Sequence, residues 1–510
     1  MMKMLRPVSG ACRVALTLAA ALCVSVSATA VQAQQTIENG VFWKDTSGTP
    51  IYSQGGGILQ VGERYYWYGA KYEEAETYAQ KPDPVPTNPH FSSVTVYSST
   101  DLVNWRFEGD ALKAGAAGQL LNRNAWLGRM GVVYNKQTRK YVLLTQYSDK
   151  TLGSGVLFAT SDTPEGPFVF DNHQAQIGNV DARTSGDQTV FIDDDGQPYL
   201  IFSNLGGRRS LYVAPLRASD YLHIEPATKI ADTPGGGREG NAMFKHNGLY
   251  YFGSSDLHGW NASRSYYMTS KSILGPYSSE KILAGTEADF SHVSQNGFFI
   301  SVQGSEQTTV LYAGDRWSNF AANGHGYNIW VPLSFDGETP RFNSLSQFTF
   351  DVAKGTWAVG PQNNYILNPG FEADRVTQAN LVGWFSSWTN LKGSGPIANV
   401  LDGRTGRWAL SLAHDGDTLG NAVQDVTLPD GTYRLKFWAK SSGGQGLAKV
   451  YAAGHGGAEL AHYFSGSVDE WTEITIPDIK VTTGRVQIGV YAEGKEGQWL
   501  RLDDFSLVRQ

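Results

Sequence analysis

The chain has 510 residues, a net charge of −7 at neutral pH, 12% aromatic residues, 58 glycines and two cysteines. The acidic balance argues against nucleic acid or an anionic lipid surface as partner. Cysteine-based metal sites and disulfides are excluded too, because Cys12 and Cys23 both lie in a segment expected to be removed.

Residues 1–33 read as a secretory signal. Lys3, Arg6 and Arg13 give a basic start, an apolar run extends from Val14 to Val26, and the small-residue sites Ala28-Thr29-Ala30 and Val31-Gln32-Ala33 follow. The apolar run is too short to span a bilayer comfortably. Its removal leaves 38 basic residues against 48 acidic ones, a net charge of −10. The expectation is a secreted or periplasmic protein with no membrane partner.

Between residues 55 and 350, within a domain assigned to 36–360, one strand pattern recurs five times. Second strands are marked by Tyr65-Tyr66-Trp67, Tyr141-Val142-Leu143, Tyr199-Leu200-Ile201, Tyr250-Tyr251-Phe252 and Val310-Leu311-Tyr312. Third strands carry Tyr97, Ala159, Val213, Met268 and Trp330, at spacings of 62, 54, 55 and 62 residues. A period near fifty built from strands and turns predicts a five-bladed β-propeller. Asp195-Gly196 and Asn247-Gly248 read as tight hairpin turns within it. Residues 71 to 90, rich in proline, read as a loop inserted in blade one.

Gly360-Pro361-Gln362-Asn363-Asn364 reads as a linker to a second domain, 365–510. Thr432 to Phe437 alternates strictly, and so do Val486, Ile488 and Val490. These strands predict a β-sandwich of jelly-roll type. The whole is an all-β protein, a five-bladed propeller followed by a sandwich.

First strands of propeller blades open at the axis. The corresponding residues are Gly55, Arg129, Asp187, Glu239 and Gln295. Two carboxylates at equivalent positions are what glycosidic hydrolysis needs. One acid must keep its proton to protonate the leaving oxygen, and a neighbouring negative charge helps it do so. Glu239, with the longer reach, is expected to be the general acid, and Asp187 the ionised neighbour that tunes it. Trp126, Arg129, Trp260 and Gln54 are expected substrate contacts. His325, on a loop before the last propeller strand, is a further axial candidate; Asp315-Arg316-Trp317 offers a sugar hydrogen bond, but an Arg-Asp pair within the blade is its more usual role. Asp193-Asp194-Asp195-Gly196 looks like calcium-ligand chemistry but reads better as a solvated turn. No cofactor is called for, no catalytic metal is expected, and room is left for a structural calcium ion. No HExxH, nucleophile elbow or dinucleotide fingerprint occurs.

The segments GGGILQVGERYYWYG, GVVYNKQTRKYVL, DQTVFIDDDGQPYLIFS, REGNAMFKHNGLYYFGSS and YAGDRW resemble glycoside hydrolase family 43, over residues 36 to 350. Within it the chain is most similar to the exo-β-1,3-galactanase branch. The resemblance implies inverting hydrolysis of arabinose-, xylose- or galactose-containing polysaccharides, with Glu239 as acid and Asp187 as its modulator. Most members carry an aspartate base where Gly55 stands. The galactanase branch instead presents a blade-five glutamine, which maps to Gln295. Glu73, Glu74, Glu76 and Asp289 are alternative bases. Ala70 and Gly128 replace two glutamates of that branch, which makes β-D-galactofuranose or α-L-arabinofuranose a rival to terminal galactose of galactan or arabinogalactan. The 365–510 domain resembles carbohydrate-binding sandwich modules through NPGFE, Gly383-Trp384 and LDDFSL. A monomer acting on polysaccharide or oligosaccharide is expected. A non-catalytic sugar-binding propeller is the competing class.

Overall fold

Five four-stranded antiparallel sheets follow one another in the computed structural model, each built from four consecutive strands. It describes residues 35–76, 90–116, 120–317, 326–375, 384–390 and 397–510. The sheets are the blades of a five-bladed β-propeller. Their inner strands are Gln54–Val61, Trp126–Asn135, Ser185–Ile192, Arg238–His246 and Gln295–Gln303, packed side by side around the axis. Buried amides stitch three of these strands to a neighbour. Gln188 donates to the Arg129 carbonyl at 3.5 Å, Asn241 to that of Asp187 at 3.4 Å, and Asn296 to that of Gly240 at 2.6 Å.

Among the described residues no blade borrows a strand from another to close the ring. Closure falls to tryptophans where blade five meets blade one. Trp67 packs on Trp330 at 5.0 Å between ring centroids and on Trp105 at 5.2 Å, and Trp43 meets Trp330 edge-on at 5.1 Å. Asn39 reinforces the seam by pairing with the Trp330 backbone, donating at 2.7 Å and accepting at 2.9 Å. The strand Gln35–Glu38 pairs with Gln347–Asp351, outside the blades.

Two five-stranded sheets form the sandwich. One contains Thr418–Thr427, Arg485–Gly494 and Leu447–Ala453; the other contains Gly431–Ser441, Trp499–Arg509 and Val468–Val481. Tyr433, Leu435, Phe437 and Ala439 face the core from one sheet, and Val486, Ile488 and Val490 from the other, as the alternation predicts. The linker is fixed on both sides. Asn363 accepts from the Ser346 and Gln347 amides, and Asn364 bonds to the Phe505 and Leu507 backbone.

Of the two expected tight turns, Asn247-Gly248 is one, with φ of 49° and 77°. Asp195-Gly196 is the other, in a turn closed by the Gly196 N–H donating to the Asp193 carbonyl at 2.8 Å, with Gly196 at φ 86°. That turn is not merely solvated. Asp193 accepts from the Tyr250 hydroxyl at 2.8 Å and pairs with Lys245 at 3.3 Å, tying blade three to blade four.

Candidate active site

All five inner strands carry a register shift at the same end. It falls between Gln54 and Gly57, Leu127 and Met130, Ser185 and Asp187, Glu239 and Ala242, and Asn296 and Phe298. A bulge interrupts the ladder and re-aims side chains. Here the bulges bring Gly55, Arg129, Asp187, Glu239 and Gln295 to the wall of one cavity of about 430 Å³. Gln54, Trp126 and Trp260 line it too. His325 lies outside the described residues.

Arg129 is the hub of the cavity floor. Its guanidinium reaches Asp187 at 3.0 Å, Asp315 at 2.8 Å, the Gln295 side-chain oxygen at 3.0 Å and the Asn296 carbonyl at 2.9 Å. Burial alone would lower its pKa, but Asp187 and Asp315 hold it above the ordinary value. Much of the expected substrate contact is therefore spent inside the protein. Asp315 also accepts the Gly55 amide at 3.2 Å, and burial raises its carboxyl despite Arg129. The aspartate thus pairs across blades, not within its own.

Glu239 stands above this floor. Burial, and then the charge of Asp187, push its carboxyl up to about 8. Arg208 at 4.0 Å, Arg129 and the Gln295 N–H pull the other way. A carboxyl held so high keeps its proton at neutral pH. Asp187 accepts from the Gly240 amide and from Gln188. Gln295 has its amide fully engaged. Its oxygen accepts from Arg129 and from the Trp317 indole N–H at 3.0 Å, and its nitrogen donates to Glu239 at 2.5 Å and to the Gly259 carbonyl at 3.4 Å. Two acceptor positions and two donor hydrogens are the whole capacity of a primary amide.

Trp317 meets Trp260 edge-on at 4.9 Å and completes one wall. Opposite, Trp126 folds over Gly128, where an added Cβ would lie 2.4 Å from the indole and 2.6 Å from Gln146 Oε1. Glu73 pairs with Arg123, Glu74 with His90 and Glu76 with Lys71. Asp289 is buried under Ser344 and His292. None of these four alternative bases lines the cavity. Sequence reasoning missed Arg208, Tyr72 and Gln146, which line it. Topology held the clue, since turns joining second to third strands lie at the axial end, and Arg208 is in such a turn.

Gln295 follows an unusual turn. Phe290–Val293 has four consecutive φ values between 51° and 57°, all left-handed and none at glycine. Such a conformation costs roughly 1–2 kcal/mol per L-residue. Asp289 caps the turn by accepting the His292 amide at 2.9 Å. Arg316 holds the His292 and Val293 carbonyls at 2.7 and 3.0 Å, and Ser291 bonds to the Ser263 carbonyl at 2.7 Å. Phe290 and Val293 then pack with Ala262 and with Ala373 of the sandwich.

An axial cavity on a five-bladed propeller, with a protonated acid beside a charged one, defines a glycoside hydrolase. The chain belongs to the glycosyl hydrolases family 43, which residues 54–328 match. It is 31% identical over 245 residues to a β-D-galactofuranosidase of Aspergillus niger, covering 45% of this chain and 67% of that one. Identity to an arabinoxylan arabinofuranohydrolase of Paenibacillus polymyxa is 26% over 275 residues, covering 48% and 41%. The chain therefore spans less than half of the second relative's length. An exo-β-1,3-galactanase of Phanerochaete chrysosporium, solved with galactose, superposes with a TM-score of 0.57 at 25% identity, covering 93% of this chain and 100% of that one. Among the described residues no helix is long and apolar enough to cross a membrane.

Proposed function

We propose that this protein is a secreted or periplasmic, monomeric exo-glycosidase that releases terminal galactose from galactan or arabinogalactan-type polysaccharide with inversion. The observation that carries the reading is Glu239, protonated in the axial cavity beside Asp187. Glu239 protonates the leaving glycosidic oxygen. Asp187, anchored by Arg129 and the Gly240 amide, keeps the acid's affinity for its proton high. Gln295 borders the same space and positions the attacking water, which requires one of its amide contacts to open when substrate enters. Trp126 and Trp260 supply ring faces against which a sugar stacks. The fold relative, an exo-β-1,3-galactanase solved with galactose, supports both the sugar and attack at chain ends.

A second reading, a β-D-galactofuranosidase or α-L-arabinofuranosidase, is favoured by the cavity wall. Where the galactanase branch has a glutamate, the Trp126 indole covers Gly128 and fills that space. The 31% identical relative points the same way. One experiment separates the two: incubation with β-1,3-galactan, arabinogalactan and the nitrophenyl β-D-galactopyranoside, β-D-galactofuranoside and α-L-arabinofuranoside. Galactose from galactan supports the first reading, and turnover of furanosides alone supports the second. Retention on the polysaccharides with no sugar released from any of them would overturn both.

A further inference from the structure

We propose that the sandwich is a working part of the propeller's cavity, with Ala373 and Asp289 as positioning residues that hold the left-handed turn Phe290–Val293 and, through it, Gln295. The inference rests on the reading of Glu239 and Gln295 as catalytic machinery. Its basis is geometric. The turn lies two residues before Gln295 on the connection from blade four to blade five. It is a backbone conformation that L-residues avoid, so it persists only where its surroundings over-determine it. On the propeller side those surroundings are polar: Asp289, Ser263 and Arg316 take up its backbone and hydroxyl groups. On the outer side they are apolar and come from the sandwich, where Ala373 is fully buried against Phe290 and Val293. Ala262 closes the same cluster and belongs to the loop that carries Trp260 and the Gly259 carbonyl, an acceptor of the Gln295 N–H. A shift of the turn would thus move the amide and its acceptor together.

The consequence shows in the pH profile as well as in rate. Glu239 is faced by Asp187, which raises it, and by Arg208, Arg129 and the Gln295 N–H, which lower it. Withdrawing the Gln295 donor leaves the carboxyl higher, so the basic limb moves to higher pH.

In the full-length chain, Ala373→Arg should lower kcat on a hydrolysed nitrophenyl glycoside, a substrate too small to need a second domain, by about 10- to 100-fold. KM should change little and the basic limb should rise. Ala373→Leu, a smaller intrusion, should do the same to a lesser degree and serves where arginine prevents folding. Asp289→Ala should reproduce the loss, and Asp289→Asn, which keeps an oxygen for the His292 amide, should restore most of it. Folded Ala373→Arg or Ala373→Leu protein with parental kcat and an unmoved limb, while Gln295→Ala is impaired, would overturn the inference. Full activity in Gln295→Ala or Glu239→Gln would instead overturn the catalytic reading beneath it.

Discussion

At the scale of single residues, the proposed general acid rests on one carboxyl, Glu239, pushed up to about 8, which therefore holds a proton to donate below that pH. Glu239→Gln should lower kcat/KM by about 10²- to 10⁴-fold while sugar binding persists, measured by turnover and by calorimetric titration with galactan oligosaccharides. In the parent, kcat/KM should fall as pH rises through about 8, where the acid loses its proton. The parent's stability falls with rising pH as well. A folded pKa raised above the unfolded value favours folding at pH below the unfolded value and withdraws that support as pH climbs toward about 8. Glu239→Gln should therefore gain in melting temperature relative to the parent between pH 5 and pH 8, and an equal gain at every pH would contradict the buried-acid account. This acid was legible in the sequence because two carboxylates stood at equivalent repeat positions. Asp315 was legible only as a local pair with Arg316. Its real partner, Arg129, lies 186 residues away and three blades earlier, a contact no spacing reveals.

At the scale of elements, the bulges turn five ordinary strands into a site. Each bulge contains or adjoins a glycine: Gly56, Gly128, Gly186, Gly240 and Gly297. Gly240 shows why. Its φ is +60°, and a Cβ there would lie 2.2 Å from the Asn296 carbonyl oxygen. Its N–H holds Asp187 and its C=O receives the Asn296 amide. Gly240→Ala should destabilise the propeller by on the order of 3 kcal/mol and depress activity further than stability alone explains, as read from urea unfolding and from kcat at 25 °C. Strand existence was legible from alternation and aromatic content. The bulges were not, since a strand's period says nothing of where its partner skips a residue. The left-handed turn at Phe290–Val293 was hidden for a similar reason, because its residues carry no preference for that conformation and tertiary contacts impose it. At Asp193 the Asp-Gly dipeptide gave the short turn correctly, but not the contacts of Asp193 with Lys245 and Tyr250 on the next blade.

At the scale of the molecule, the described blades exchange no strand, and Trp67, Trp105, Trp330 and Trp43 pack the seam of the ring. Trp330 touches all three others, with centroids 5.0 to 5.8 Å away, and is fully buried. Sequence reading found Trp67 and Trp330 as strand residues but gave no reason to bring them together. Trp105 and Trp43 lay outside the repeat. Trp330→Ala should cost about 3–5 kcal/mol, because a large aromatic leaves a cavity that its neighbours cannot fill. The loss should fall on the propeller, since the sandwich has a separate core around Phe437, Tyr433 and Trp384. Differential scanning calorimetry should then resolve a propeller transition shifted down and a sandwich transition left near its parental temperature. Because Ala373 and the Asn364 bonds join the two parts through small contacts, the coupling between these transitions should be weak in energy while strong in its effect on Gln295. A single transition that moves as a whole would mean the domains unfold together and that the interface contributes more to stability than its size suggests.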